Sequence, residues 1–196
     1  MRTGRHAVVL AAGAGRRFGG GKLLADWRGE PLVLAAVRSA LAARVDEVVL
    51  VVGADAAAVT AAADTAGDPR LRIVPASDWA QGLGASLAAG VRSLPPDAEK
   101  MVVFLGDMPA IPEGLADQLL DALDGPHVAA RTVSPHGPAH PVAFARDVFD
   151  ALGELTEDQG AKSLLAALGP RVASVFTDDP GVVFDVDRPE DLARLP

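Results

Sequence analysis

The 196-residue sequence contains no cysteine. Disulfides, thiolate metal sites and cysteine nucleophiles are therefore excluded, although the absence names no compartment. Aromatic residues are scarce, 4% against 49% hydrophobic residues overall, so the core has to be built mostly from Ala, Val and Leu. Residues 1–6 lack the apolar centre of a signal peptide, and no uncharged apolar run is long enough to span a bilayer. Basic residues are outnumbered, and the net charge of −8 argues against broad binding to nucleic acid or membranes. The expectation is a soluble cytoplasmic protein with one domain over 1–196 and a sizeable core. Cationic groups then count where they cluster, and the clearest cluster is Arg16, Arg17 and Lys22.

That cluster sits in the most informative stretch of the chain. His6 to Ala11 reads as a buried strand, which breaks into a loop with Gly13, Gly15, Gly19, Gly20 and Gly21 around the three cations. Glycine lets backbone N–H groups turn inward and approach an anion closely. Arginine forks match phosphate oxygens, and lysine adds a point charge. Such a loop after a strand is a place to hold a polyphosphate; a solvated turn with incidental charge is the alternative. Two familiar phosphate motifs are missing. A P-loop needs glycine where Arg16 stands and Ser or Thr where Leu23 stands. A dinucleotide fingerprint starting at Gly13 and Gly15 needs a third glycine where Phe18 stands.

Strand-like apolar runs alternate with alanine- and leucine-rich helical stretches. Strands are expected at 6–11, 47–52, 71–74 and 101–105, with helices at 32–43, 55–63, 83–94 and 112–123, Asp55 capping the second of these. This rhythm, with near-continuous apolar strands, predicts an α/β fold with a parallel sheet covered on both faces. The last third changes character. Strands at 128–133 and 142–145 flank a Pro- and Gly-rich loop, a helix follows at 161–168, strands at 172–176 and 182–186, and a closing helix at 189–195. The sheet is thus expected to be mixed, with a small substrate-side insertion.

Acidic residues supply the second half of a site. Asp107 follows the apolar run Met101 to Leu105, so it emerges beyond a strand's carboxyl end, where ligands of parallel sheets lie. A carboxylate beside a triphosphate repels it unless a divalent cation lies between, and Mg²⁺ is held by one or two carboxylates plus phosphate oxygens. The alternative is a turn-forming Asp before Pro109. Asp185 and Asp187, two apart on an expected strand, project from one face. Such a pair in an apolar run is costly without a cation or hydrogen bonds. Asp187 is the first choice as a metal ligand and Asp185 the second; capping of the helix near Pro189 is the other role open to Asp187. Glu190 and Asp191 read as first-turn helix acids. Gly82 and Ser86 precede and open a helix, where a ligand can approach the backbone and Gln81 and Ser86 offer hydrogen-bonding groups, or where the residues merely form an irregular helix entry. Trp79 reads as packing. Gly137 to Val142 is a constrained loop whose His140 can donate to a phosphate or simply lie exposed.

Taken in order, these segments resemble the MobA-like nucleotidyltransferases. Their L-A-A-G-x-x-x-R-x-G-x-x-K signature is filled by Leu10, Ala11, Ala12, Gly13, Arg17, Gly19 (or Gly20) and Lys22, with Arg16 as a second candidate for the arginine. Asp107 lies in a G-D-x-P motif, and Asp185 to Leu192 is similar to D-x-D-T-P-E-D-L, with Arg188 in place of threonine. Gly82 and Ser86 match a G-x-x-x-S loop, and His140, Pro141 and Val142 match H-P-V. Asp158 to Lys162 resembles G-D-x-G-A-R, with Glu157 and Lys162 departing from it.

The resemblance implies a Rossmann-like three-layer α/β/α sandwich of the nucleotide-diphospho-sugar transferase type. It implies nucleotide binding by Leu10, Ala11, Ala12, Gly13, Ala14, Gly15, Lys22, Gly82, Ser86 and Asp107. It also implies Mg²⁺ on Asp107 and on Asp187 or Asp185, and acceptor contacts from His140, Pro141 and Gly160. Lys22 would stabilise charge at the α-phosphate, and Arg16 or Arg17 would hold the departing pyrophosphate. L-A-A-G with G-D-x-P is the cytidylyl-transferring form, where guanylyl-transferring relatives more often show L-A-G-G and C-D-x-P. The implied reaction is cytidylyl transfer from CTP to the phosphate of molybdopterin, with transient contact to a molybdoenzyme or its chaperone. Its rivals are guanylyl transfer, transfer to a sugar or polyol phosphate, a non-catalytic nucleotide or cofactor carrier, and an NAD(P)-dependent oxidoreductase. The last is weakened by Phe18 and by Gly53, which stands where an acidic residue would meet a ribose.

Overall fold

The computed structural model describes residues 3–156 and 161–194. Its strands are β1 (Arg5–Ala11), β2 (Asp26–Trp27), β3 (Glu30–Pro31), β4 (Glu47–Val52), β5 (Leu71–Pro75), β6 (Lys100–Leu105), β7 (Ala129–Ser134), β8 (Gly137–Ala145) and β9 (Val172–Phe176). The helices are α1 (Leu32–Ala42), α2 (Ala56–Asp64), α3 (Leu83–Arg92), α4 (Leu115–Asp121), α5 (Phe149–Gly153) and α6 (Lys162–Leu168). Seven strands form one sheet in the order β5-β4-β1-β6-β8-β7-β9, and β2 with β3 make a small separate ribbon. β8 runs antiparallel to both its neighbours, and the other pairings within the large sheet are parallel.

Alternation along the central strands explains the layers. In β1, Ala7, Val9 and Ala11 join one buried cluster with α1, α2 and α4, while Val8 and Leu10 join another with α3 and α5. Side chains of successive strand residues point to opposite faces, so a strand apolar at every position must be covered on both. No helix among the described residues is long and apolar enough to cross a membrane.

Several expectations are corrected. The segment 182–186 is not a strand: Pro180–Val182 is a 3-10 turn, and the residues after it pair with no ladder. The last helical segment, Pro189–Ala193, is also 3-10. α4 starts at Leu115 rather than at 112, because Gly114 takes a left-handed conformation (φ 82°). Asp55 occupies the N-cap position of α2, but its side chain makes no cap hydrogen bond. Residues 137–141, expected to be a loop, are the first half of β8. Two prolines are tolerated there because the register shifts between Arg131 and Val133, and the hydroxyl of Thr132 donates to the Pro141 carbonyl at 2.7 Å.

Candidate functional site

Chain direction fixes where a site forms. From β1 the chain winds outward through β4 to β5, then returns to lay β6 on the other side of β1. The carboxyl ends of β1 and β6 therefore flank a crevice at the point where the strand order reverses. A cleft of about 520 Å³ lies there, lined by Leu10 to Arg17, Lys22, Gly82, Ser86, Asp107, Asp185 and Asp187. Leu23, Trp79, Ala80, Leu83 and Leu105 complete it.

The loop after β1 is held by its own backbone. The N–H groups of Phe18 and Gly20 both donate to the Gly15 carbonyl, at 3.0 and 3.2 Å. Gly15 has φ +58°, and a Cβ there would lie 2.9 Å from Cβ of Lys22, so only glycine lets the loop close on the lysine. Behind the loop, Ala54 N–H donates to the Ala12 carbonyl at 3.1 Å. A Cβ on Gly53 would come within 2.5 Å of that carbonyl oxygen. The absent acidic side chain at this position is thus a packing requirement.

The acidic residues arrive from two directions. Gly106 N–H donates to the Leu10 carbonyl at 2.9 Å, which carries Asp107 to the cleft. Val186 N–H donates to the Asp107 carbonyl at 3.1 Å, and the Val186 side chain is fully buried. Asp185 and Asp187, on either side of that anchor, both face the cleft without belonging to a strand. Asp187 does not cap the last helical turn. The carboxylate of Asp191 does so, accepting from the N–H groups of Asp187 (3.0 Å) and Arg188 (2.8 Å). Those N–H groups hold the Asp191 carboxyl below the usual range.

Cations and carboxylates meet directly. Lys22 Nζ donates to Asp107 Oδ2 at 2.6 Å and lies 3.6 Å from Asp187 Oδ1; the lysine side chain is only 12% exposed. Arg17 pairs with Asp187, while its own side chain stays 75% exposed. Arg16 lines the cleft without an ion pair among the described residues. Burial pushes the Asp185 carboxyl above the usual range; the negative charges of Asp107 and Asp187 push the same way, and Lys22 opposes them. Mutual repulsion among carboxylates, with oxygen donors only, suits a hard divalent cation. Among the described residues, no three His, Asp or Glu side chains converge closely enough to hold a metal ion unaided. Mg²⁺-type sites are commonly completed by substrate phosphates, so this donor set fits a shared site better than an all-protein cage.

A second cavity, about 600 Å³, adjoins the first and shares Leu10, Leu83 and Leu105 with it. Its wall is mostly apolar, from Leu87, Val103, Phe144 and Leu165, with His140, Arg131 and Lys162 as its ionisable groups. His140 is half-buried on β8, and its Nδ1 is buried with no hydrogen-bond partner among the described residues. Burial pushes its pKa down, against the pull of Asp107. Pro141 follows it but does not line the cavity. Gly160, expected to leave room for an acceptor, lies outside the described residues. Sequence reasoning missed Arg131, although a lone charge within an apolar strand was the available signal. Trp79, read as packing in preference to stacking, does pack beside Gly53, and it also lines the cleft.

Comparison with known proteins agrees on family and fold, while the relatives differ in activity. The model of the MobA-like NTP transferase domain matches residues 7–172. A nicotine blue oxidoreductase of Paenarthrobacter nicotinovorans is 32% identical, over 96% of this chain and 94% of that protein. A molybdenum cofactor guanylyltransferase of Rhodobacter capsulatus is 29% identical, over 95% and 92%. Among solved structures, Rv0371c of Mycobacterium tuberculosis superposes with a TM-score of 0.86 at 29% identity, covering 99% of this chain and 97% of that one. The same protein in complex with manganese gives 0.80 at 27% identity, covering 99% and 98%. The mixed seven-stranded sheet is that of the nucleotide-diphospho-sugar transferase fold.

Proposed function

The chain belongs to the MobA-like NTP transferase family, and on that premise we propose that it transfers a cytidylyl group from CTP to the phosphate of molybdopterin, releasing pyrophosphate. The observation that carries this reading is the cleft in which the Gly13–Lys22 loop faces Asp107, Asp185 and Asp187. Leu10 to Ala12 and Gly82 with Ser86 would hold the base and ribose. The backbone of Gly13 to Gly15 and the side chains of Lys22, Arg16 and Arg17 would hold phosphate oxygens. Asp107 and Asp187, with Asp185 beside them, would hold a divalent cation, Mg²⁺ in the first instance. When bound, such an ion supplies charge neutralisation to the phosphates. The manganese complex of Rv0371c supports a cation in this family.

The acceptor phosphate would attack the α-phosphorus in line, forming one P–O bond as the bond to the leaving pyrophosphate breaks. A phosphate is already anionic near neutral pH, so no general base is needed, and the residues contribute position and charge. The adjoining apolar cavity is where the acceptor's body would lie, with His140 facing its phosphate. Ala12 and Gly106 favour cytidylyl transfer; likeness to a guanylyltransferase keeps GTP as the competing donor. The 32% identity to an oxidoreductase supports hydride transfer as a second reading. A screen of CTP, GTP, ATP and UTP with Mg²⁺ and molybdopterin, read by pyrophosphate release, tests the proposal. Release with CTP alone is expected. NAD(P)H oxidation without pyrophosphate release from any nucleotide would replace it with the second reading.

A further inference from the structure

The cleft contains three carboxylates and, in contact with two of them, two cations. Lys22 lies between Asp107 and Asp187, at 2.6 and 3.6 Å, and Arg17 also sits on Asp187. Asp185 has no ion pair of its own among the described residues. These two cations are the groups assigned above to the phosphates, and these carboxylates are the ones assigned to the cation. Neither set can serve both partners at full strength. A carboxylate oxygen that accepts from the Lys22 ammonium has that direction of its electron density engaged, and a divalent ion placed there meets like charge at short range. Conversely, an arginine or lysine drawn onto phosphate oxygens leaves its carboxylate uncompensated beside two others. Both side chains can swing from carboxylate to phosphate without moving the backbone: Arg17 is 75% exposed on a glycine-rich loop, and Lys22, though only 12% exposed, carries its ammonium on a stem of four rotatable carbons that opens onto the cleft.

Resting on the reading of this cleft as a nucleotide and cation site, we propose that Lys22 and Arg17 are built-in counter-ions of the acidic group, so that divalent cation and nucleoside triphosphate each release the residues the other needs and bind with positive coupling. The coupling is reciprocal by linkage. It means that the protein alone holds a divalent ion weakly, and that a metal-free triphosphate is held weakly because its cations are already engaged.

The test is Mn²⁺ binding to the protein alone, with no nucleotide present, followed by the electron paramagnetic resonance signal of free Mn²⁺. Lys22→Met is expected to bind Mn²⁺ about tenfold tighter than the unaltered chain, and Arg17→Ala several-fold tighter, within the range usual for coupling between sites. Arg17→Ala guards against misfolding, because its side chain is mostly in solvent. In the complementary measurement, Asp107→Asn is expected to bind CTP in EDTA several-fold tighter than the unaltered chain. Equal Mn²⁺ affinity in all three proteins overturns the coupling and leaves the nucleotide reading standing. No binding of Mn²⁺ or of nucleotide by any of them overturns both.

Discussion

The two adjoining cavities are built from different chemistry although they share a wall. The first is bounded by loop backbone and by charges of both signs; the second is bounded by strand and helix side chains that are mostly apolar. The difference follows from where each lies. Beyond the carboxyl ends of β1 and β6 the chain leaves the sheet, so backbone N–H groups and glycines are available and carboxylates can be presented. Over β6, β8 and β7 the sheet continues, and the wall is made mostly of strand and helix side chains, joined by the successive residues Arg131 to Ser134 and Gly137 to His140 at the irregular end of the β7–β8 pairing. Under the proposed function a ligand in the first cavity would be read by charge and one in the second mainly by shape, with His140, Arg131 and Lys162 as the ionisable exceptions in its wall. Leu10, Leu83 and Leu105 line both cavities, so under the proposed transfer the reacting atoms would meet beside them.

Breaking the charged side is expected to have the largest effect. Asp107→Asn should lower pyrophosphate release by about 10² or more, as loss of a charge-positioning group does, while chemical denaturation shows stability changed by less than about 1 kcal/mol. A variant that releases pyrophosphate normally would dissolve the distinction between the cavities. Val186→Ala is next. It removes a fully buried side chain and should cost about 1–3 kcal/mol in denaturant unfolding, together with weaker nucleotide binding, because Val186 anchors both flanking aspartates. His140→Ala should act on the apolar side only, raising KM for the acceptor about fivefold with KM for the nucleotide unchanged. An equal rise in both would mean that His140 serves the first cavity. The smallest effect is a control at the opposite end of the sheet. Burial works against ionisation of Asp46, but the N–H groups of Thr3 and Gly4 outweigh it and hold the carboxyl below its usual value. A depressed folded pKa stabilises above the unfolded value and is lost as pH falls through the folded one. The Tm gap between the unaltered chain and Asp46→Asn should therefore be constant above about pH 5 and close below about pH 4, with turnover unchanged.

How much of this was legible in the sequence depends on whether the signal is local. β4 is a run of apolar residues ended by Gly53, and it needs nothing distant to be recognised. The same holds for the glycines and cations of the first loop, whose chemistry lies in one stretch. The segment around Asp185 and Asp187 has the alternation of a strand, yet it makes none, because Val186 finds a single backbone partner in Asp107 and no neighbouring strand runs beside it. The first half of β8 was hidden by the opposite effect, while its second half, 142–145, was legible: Pro138 and Pro141 read as loop residues, and the register shift at Thr132 makes room for them. Lys22 pairing with Asp107, 85 residues away, has no local trace at all. The capping by Asp191 is by contrast local and agrees with its reading as a first-turn acid; it removes from Asp187 the capping role that its position near Pro189 suggested.

Crystals grown with CTP and Mn²⁺, the metal located by its anomalous signal and the nucleotide in the electron density, decide whether loop and carboxylates share one ligand. Manganese is expected against Asp107 and Asp187, the triphosphate along Gly13 to Lys22, and Lys22 moved from Asp107 onto phosphate. A triphosphate lodged instead in the apolar cavity beside His140, with Lys22 still bound to Asp107, would contradict it.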